Sequence, residues 1–277
     1  MLANSASERI PDMKRRAFLK TSATLSTLTA LGASCLKGEE AGSTATREFY
    51  ELRRYRLHEA SNQALLDSYL EKAAIPALNR LGVKPVGAFT EEEPQNGLVV
   101  WLLIPHASLD SFTRTAMVLN PEADVSEEAA EYLAAPKSKP AFDRIDSWLL
   151  LAFAGMPHLE QPDYSRDRKS RLFELRTYES HSESRAWKKV EMFNAGEIEI
   201  MKEVGLGPVF FGQALVGGNL PHLAYMLSAE DAESHKAHWA AFMKHPGWEK
   251  LKNDPQYKDT VSKITKQILL PTAYSQI

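Results

Sequence analysis

A short peptide occurs twice in this chain. "EFYELRRYRL" runs from Glu48 to Leu57 and "RLFELRTYES" from Arg171 to Ser180. Glu51-Leu52-Arg53 and Tyr55 return as Glu174-Leu175-Arg176 and Tyr178, 123 residues later, and His58 returns as His181. The same offset relates Gly82 and Pro85 to Gly205 and Pro208, and "LVVWLLI" (Leu98 to Ile104) to "PHLAYML" (Pro221 to Leu227). Registry held without a gap over such a span points to two copies of one unit. The copies part after this, where the first carries extra residues around "NPEADVSEEAAEYLAAPKSKP".

Each copy has the same order of elements. The Glu-Leu-Arg strand comes first. Leu66, Tyr69, Leu70, Ala73, Ala77 and Leu81 then recur at helical spacing, as do Trp187, Val190, Phe193, Ile198, Met201 and Val204 in the second copy. Gly82 and Gly205 stand where a glycine ends each helix. Two strands follow, "PVGAF" and "LVVWLLI" in the first copy, "PVFFG" and "LAYML" in the second. A second helix is expected from "SAED", with Ser228 as N-cap, and a last strand from "DSWLLLAF" or "SKITKQILL". The order β-α-β-β-α-β defines a ferredoxin-like unit. One such unit leaves a sheet face bare. The expected fold is therefore α+β: two tandem units packed sheet to sheet as an eight-stranded α/β barrel within one chain.

The second copy resembles the NIPSNAP family through "FELRTY", "GLGPVFFGQALVGGNLPHLAYML", "HWAAFMKHPGWEKLKNDPQYKDTVS" and "LLPTAYSQI". The first keeps "YELRRY" and "LGVKPVGAF" and lacks the His-Trp and Pro-Gly-Trp stretch. The resemblance implies a fold of the dimeric α/β barrel group, which also contains heme-degrading and antibiotic-biosynthesis monooxygenases. It implies no settled activity. The domain layout expected is a leader at 1–37, a linker at 38–46, a divergent first unit at 47–156, a linker at 157–170 and the NIPSNAP unit at 171–277.

The leader reads as an address. Lys14, Arg15, Arg16 and Lys20 form a basic start, and Ala23 to Ala33 is weakly apolar and rich in Ser and Thr. "RRAFLK" resembles the bacterial twin-arginine signal, with Arg15 and Arg16 as its pair. Translation is expected to begin at Met1 or Met13. Cys35, the one cysteine, follows Ala33 and Ser34 as a lipoprotein cysteine does, but Gly32 holds the place of the usual Leu. Two fates follow: a lipid anchor at Cys35, or plain secretion to the periplasm. No run of 18 uncharged apolar residues exists, so no spanning helix is expected.

The formal net charge is -3, and residues 1–40 hold six basic and four acidic side chains, leaving about -5 on the rest. That balance argues against a nucleic-acid partner. A small molecule or a protein is expected instead, and further homo-oligomerisation stays open.

Strand alternation places Glu174, Arg176 and Tyr178 on one side, and Phe173, Leu175 and Thr177 on the other. With the apolar set against the helices, the polar sets (Glu51, Arg53 and Tyr55 included) are expected inside the barrel. There they form either a pocket, with Arg binding an anionic or carbonyl oxygen and Glu or Tyr handling a proton, or ion pairs that fix register. His238 and Trp239 are further pocket candidates. His235 and His238 lie three apart on one helix, followed by His245, without a carboxylate at fixed spacing, so no metal is expected. "GQALVGG" has no dinucleotide-binding pattern, and no Ser-His-Asp or Cys-His set is visible. No cofactor is expected, heme being the one fold relatives suggest. Three readings follow: an exported protein that binds a small ligand or partner; a monooxygenase-like or heme-handling enzyme; a structural envelope protein.

Overall fold

The computed structural model describes residues 46–94, 97–119 and 127–277, and these described residues belong to one compact unit. Arg15, Arg16 and Cys35 lie outside the described residues. The first copy runs β1 (Phe49–Leu57), α1 (Ala60–Tyr69), α2 (Ile75–Arg80), β2 (Gly87–Glu91), β3 (Leu98–His106), α3 (Leu109–Leu119), α4 (Glu127–Leu133) and β4 (Arg144–Ala152). A one-turn helix, α5 (Asp163–Arg166), leads to the second: β5 (Leu172–Glu179), α6 (Glu183–Met192), α7 (Ile198–Glu203), β6 (Pro208–Val216), β7 (His222–Ala229), α8 (Ala232–Lys244), α9 (Pro246–Lys252) and β8 (Lys263–Pro271).

The eight strands close in the order β1-β3-β2-β8-β5-β7-β6-β4, all pairs antiparallel. Each copy supplies four neighbouring strands in ferredoxin-like order. The two sheets are hydrogen-bonded edge to edge, β2 to β8 and β4 to β6, so closure removes the free edges that an open sheet would expose.

The offset of 123 survives in three dimensions. A π-helical turn joins α1 to α2 at Leu70–Ala74, and another joins α6 to α7 at Phe193–Glu197, 123 residues on. Both helices then stop the same way. Gly82 and Gly205 sit at φ +80° and +81°, and the next N–H reaches back five residues, from Val83 to the Leu78 carbonyl and from Leu206 to the Met201 carbonyl. A left-handed residue with that return bond is how glycine satisfies the last carbonyls of a helix.

Three apolar clusters stand out among the described residues. One joins β1 and β3 to the helices of the first copy, through Tyr55, Leu66, Leu70 and Leu102 among others. A second does the same in the second copy, through Tyr178, Phe193, Phe211 and Tyr225. The third draws on strands of both copies and is the barrel interior: Tyr50, Leu52, Leu103, Phe89, Phe173, Leu175, Phe210 and Met226 meet there. Phe89 packs edge-on against Phe173 at 4.9 Å, and Tyr50 against Phe210 at 5.1 Å.

This corrects the expected strand orientation. Phe173 and Leu175 point into the barrel, and Glu174, Arg176 and Tyr178 point toward the helices; Glu51, Arg53 and Tyr55 follow the same rule. The physical reason is closure. The interior of an eight-stranded barrel is just wide enough for side chains to fill it. A charge there would lose its water without gaining a partner. Each buried Phe or Leu, by contrast, stabilises by about 1.5–3 kcal/mol.

The start of the second helix is also corrected. Ser228 lies within β7, one residue before its end, and its Oγ donates to the Gly207 carbonyl. Asp231 is the cap, accepting the Ser234 N–H at 2.8 Å. Trp187, on the helical stripe, is exposed.

Candidate functional site

The second copy builds its site on β5. Glu174 is 3% exposed, so its carboxylate must be matched by donors. Arg176 Nη1 donates to Oε1 at 2.8 Å. From α8, one helical turn apart, His235 Nε2 lies 3.0 Å and Trp239 Nε1 2.8 Å from Oε2. Burial pushes the Glu174 carboxyl up, but the bond from His235, the Arg176 charge and the Trp239 N–H outweigh it and hold the carboxyl below the ordinary range. The Arg176 guanidinium lies over the Trp239 ring at 4.5 Å and over Tyr178 at 5.6 Å. Tyr178 and Tyr225 share a hydrogen bond of 2.9 Å beneath it.

Below these tyrosines lies a buried ion pair. Lys189 Nζ donates to Glu197 Oε2 at 2.7 Å, and both side chains are almost wholly enclosed. The ammonium also sits over the Phe193 ring at 4.5 Å. Burial raises the Glu197 carboxyl despite the opposing Lys189 charge.

A cleft of about 750 Å³ opens beside Glu174. It exists because β2 and β8 part company. They pair from Phe89–Glu91 to Leu269–Pro271, with further bonds at the two ends, from the Glu92 N–H to the Ile268 carbonyl and from the Thr272 N–H to the Ala88 carbonyl. Before Ile268, β8 is paired with β5 on one side and borders the cleft on the other. Glu174, Arg176, His235 and Trp239 form one wall; Arg54, Arg56 and Glu91 to Glu93 form the other; Thr265 to Ile268 lie between. The far wall is built firmly. Arg54 lies 5.5 Å from both Trp101 and Trp148 and binds Asp146 Oδ2 through two nitrogens, at 3.0 and 2.7 Å.

Three of the eight pocket candidates, Glu174, Arg176 and Trp239, therefore border the cleft. Tyr178 lies deeper, in the aromatic cluster. His238 turns the other way, against the Gly205 turn, so the three-residue spacing to His235 does not bring the two rings to one site. Glu51, Arg53 and Tyr55 form a separate group in the first copy. Arg53 Nε binds Glu51 Oε1, Ser147 Oγ donates to the same oxygen at 2.9 Å, and His106 Nε2 lies 3.8 Å from Oε2. Burial raises the Glu51 carboxyl, and His106, Arg53 and Ser147 together bring it below the ordinary range.

His235 and the basic and acidic far wall are not among the pocket residues expected from the sequence. The four-residue spacing of His235 and Trp239 carries the signal for the first: both stand on one helix face and reach one carboxylate. Nothing local marks Arg54 or Glu91, which reach the cleft through the β2–β8 junction. Among the described residues no group of three or more His, Cys, Asp or Glu side chains could hold a metal ion, and no helix is long and apolar enough to cross a membrane.

Residues 173–276 match the NIPSNAP family model. The match covers the second copy and leaves the first outside it. Two solved structures share the barrel over most of their length: a proposed monooxygenase from Fusobacterium nucleatum, 10% identical with a TM-score of 0.52 over 82% of this chain and 93% of its own, and another from Lactobacillus acidophilus, 9% identical with a TM-score of 0.54 over 81% and 94%. An uncharacterised NIPSNAP-like domain protein from Burkholderia xenovorans is 21% identical over 38% of this chain and 88% of its own, with a TM-score of 0.34. No curated protein matches the chain. The NIPSNAP match thus falls on the half that carries the cleft wall of Glu174, Arg176, His235 and Trp239, and the two full-length likenesses concern the fold alone.

Proposed function

We propose that the chain is an exported protein that binds a small molecule in the cleft beside Glu174, with Arg176 receiving an anionic or carbonyl oxygen of the ligand. One observation carries this reading. An almost fully buried carboxylate and its three donors, one of them a guanidinium stacked on an indole, converge on a cleft of about 750 Å³. Ligand sites are concave and hold a few converging polar groups in this way, and the volume suits a molecule of drug-like size. The stacked Arg176 is pre-organised, so little side-chain freedom is lost when it takes a second oxygen.

Export is supported by the basic start at Lys14 to Arg16 and the weakly apolar stretch from Ala23 to Ala33. Replacing Arg15 and Arg16 by Lys is expected to leave the protein in the cytoplasmic fraction. The first copy is proposed as a diverged duplicate of the NIPSNAP unit, supported by the shared offset of the π-helical turns and capping glycines. Phe193, Phe211, Tyr225 and Phe242 fill the layer between sheet and helices and Glu174 engages His235 Nε2, so neither that layer nor that nitrogen is open to a heme.

Native mass spectrometry of the protein purified from its own cells tests the reading. A retained small molecule that is lost from the Arg176→Met variant is expected. A bare wild-type protein, or a ligand held equally by both, overturns the assignment.

A further inference from the structure

We infer that the cleft takes a short acidic peptide in extended form, which adds itself as a strand to the open edge of β8. This rests on the cleft being a ligand site, and deepens it by naming the ligand class and the way it is held.

The cleft passes through the barrel wall. Leu175 points into the barrel, and its partner Gln267 shares that face, as does Thr265 two residues before; Lys266 pairs with Arg176 on the helix side. All three β8 residues border the cleft, with Arg54 and Val99 from the barrel side and Arg176 and Trp239 from the helix side. Side chains of both sheet faces line one opening where a strand is missing. The missing strand is the continuation of β2, which ends at Glu91. Its register sets Glu92 against Ile268, so the residue due opposite Lys266 is Pro94. Proline has no N–H to give to a ladder. From Lys263 to Gln267, β8 therefore has β5 as its one strand neighbour among the described residues.

The open edge selects a peptide. The Ile268 carbonyl accepts from Glu92 on the β2 side. Along the strand, Lys266 and Ile264 turn their N–H and C=O groups to the same side. Such a row of backbone donors and acceptors is a template for an added strand.

The opposite seam of the barrel is closed at the equivalent place. Trp148 stands opposite Leu52 as Gln267 stands opposite Leu175. The Trp148 Nε1 donates to the Gly218 carbonyl at 3.2 Å, and its ring leaves no room for a Cβ at Gly217, the counterpart of Pro94 at the 123-residue offset. An indole covers the β4–β6 seam, and the shorter Gln267 leaves the β2–β8 seam open.

Charge sets the direction and composition of the peptide. A strand antiparallel to β8 continues the line of β2, so its amino end comes against the exposed Glu92 and Glu93. Its first residue lies opposite Lys266, which has no ion-pair partner among the described residues and stands beside Arg176. Its second lies opposite Thr265 and turns to the barrel side, where Arg54 and Arg56 share the single carboxylate of Asp146. Acidic side chains at both places meet cations, as cross-strand pairs do. The third residue meets Ile264, an exposed apolar side chain.

The probe is the peptide Glu-Glu-Val-Thr-Val with a fluorophore on its carboxyl end, titrated with the full chain and read by anisotropy. In this pairing the N–H of the third residue points to the Ile264 carbonyl and that of the second points away. Methylating the third amide nitrogen is expected to weaken binding at least about tenfold, and methylating the second to leave it within about twofold. Equal effects overturn the strand pairing. Lys266→Pro removes an edge N–H and none of the bonds to β5, and is expected to abolish binding; unchanged affinity overturns the proposal. The methylated pair needs no variant, and decides the matter if Lys266→Pro fails to fold. A wild type that does not bind the probe refutes the ligand class, and the retained-ligand measurement then decides separately whether the cleft binds anything. A retained molecule without an amide chain also refutes the class and leaves the cleft standing. A dimer in sedimentation that Lys266→Pro dissolves gives the edge to a second copy and overturns the proposal.

Discussion

The two copies place the same Glu-x-Arg-x-Tyr peptide on equivalent strands, yet among the described residues it is the Glu174 and Arg176 of the second that border the cleft. In the first copy Glu51 is satisfied within the sheet and its neighbours: Arg53 beside it, Ser147 from β4 and His106 from β3. In the second, Glu174 is satisfied by Arg176 and by α8, through His235 and Trp239. The strand motif sets a buried carboxylate and a guanidinium on the helix side. What lies over it decides whether the pair is sealed or opens on a cleft. Beneath the motif the copies differ again, with Leu66 and Ala74 standing 123 residues before Lys189 and Glu197.

That last contrast gives the largest expected effect. Lys189→Leu alone should destabilise the protein by about 3–5 kcal/mol, since it strands a buried carboxylate, whereas Lys189→Leu with Glu197→Ala, the first copy's residues, should recover most of the loss. Urea unfolding of the two variants measures both. A double variant no more stable than the single one would show that the copies differ in more than this pair.

Ligand affinity separates the copies next. Arg176→Met is expected to weaken binding at least tenfold, about 1.4 kcal/mol, and Arg53→Met to leave it within twofold. Equal losses on calorimetric titration would show that the ligand does not sit against Arg176 in the cleft.

The helix-ending glycines come third. Alanine is strained at either positive φ, which costs about 1 kcal/mol. A Cβ at Gly82 meets nothing within 4 Å, whereas one at Gly205 comes 3.1 Å from His238 Nε2. Gly205→Ala should therefore lower the thermal midpoint more than Gly82→Ala, and a reversed order would mean that His238 yields freely.

The smallest effect concerns acid. Glu51 and Glu174 both have lowered carboxyls in the folded protein. Each contributes stability that is complete above the unfolded value, about 4.3, and is lost as pH falls through the folded one. Glu197 is raised, so it acts in the opposite sense: its contribution grows as pH falls through its folded value toward the unfolded one. Glu51→Gln and Glu174→Gln should flatten the acid loss of the urea midpoint, and Glu197→Gln should steepen it. Identical acid profiles for the Glu51 and Glu197 variants would contradict these directions.

Much of the fold was legible because the duplication is local and periodic. Gly82 and Gly205 announce their helix ends through a backbone conformation few other residues adopt, and the strand segments stand out by their apolar runs. The orientation of β1 and β5 was not legible. Alternation separates Phe173 and Leu175 from Glu174 and Arg176, but both faces of these strands are covered, and a single strand does not say which cover is the drier. The site was legible in part. Glu174, Arg176 and Trp239 stand out as a charged pair in an apolar strand and an indole beside a histidine. Arg54, Glu91 and Lys266 do not, since they meet only where β2 and β8 separate.

The sequence by itself determined that there are two units, their order of elements, the turns that end their helices, and the residue types able to do chemistry. Tertiary structure decided which face of each first strand went into the barrel, because closure makes an interior with no room for water around a charge. It also decided which copy's carboxylate borders the cleft, because a strand junction and one helix face, far apart in the chain, have to meet before Glu174, His235 and Trp239 border open space.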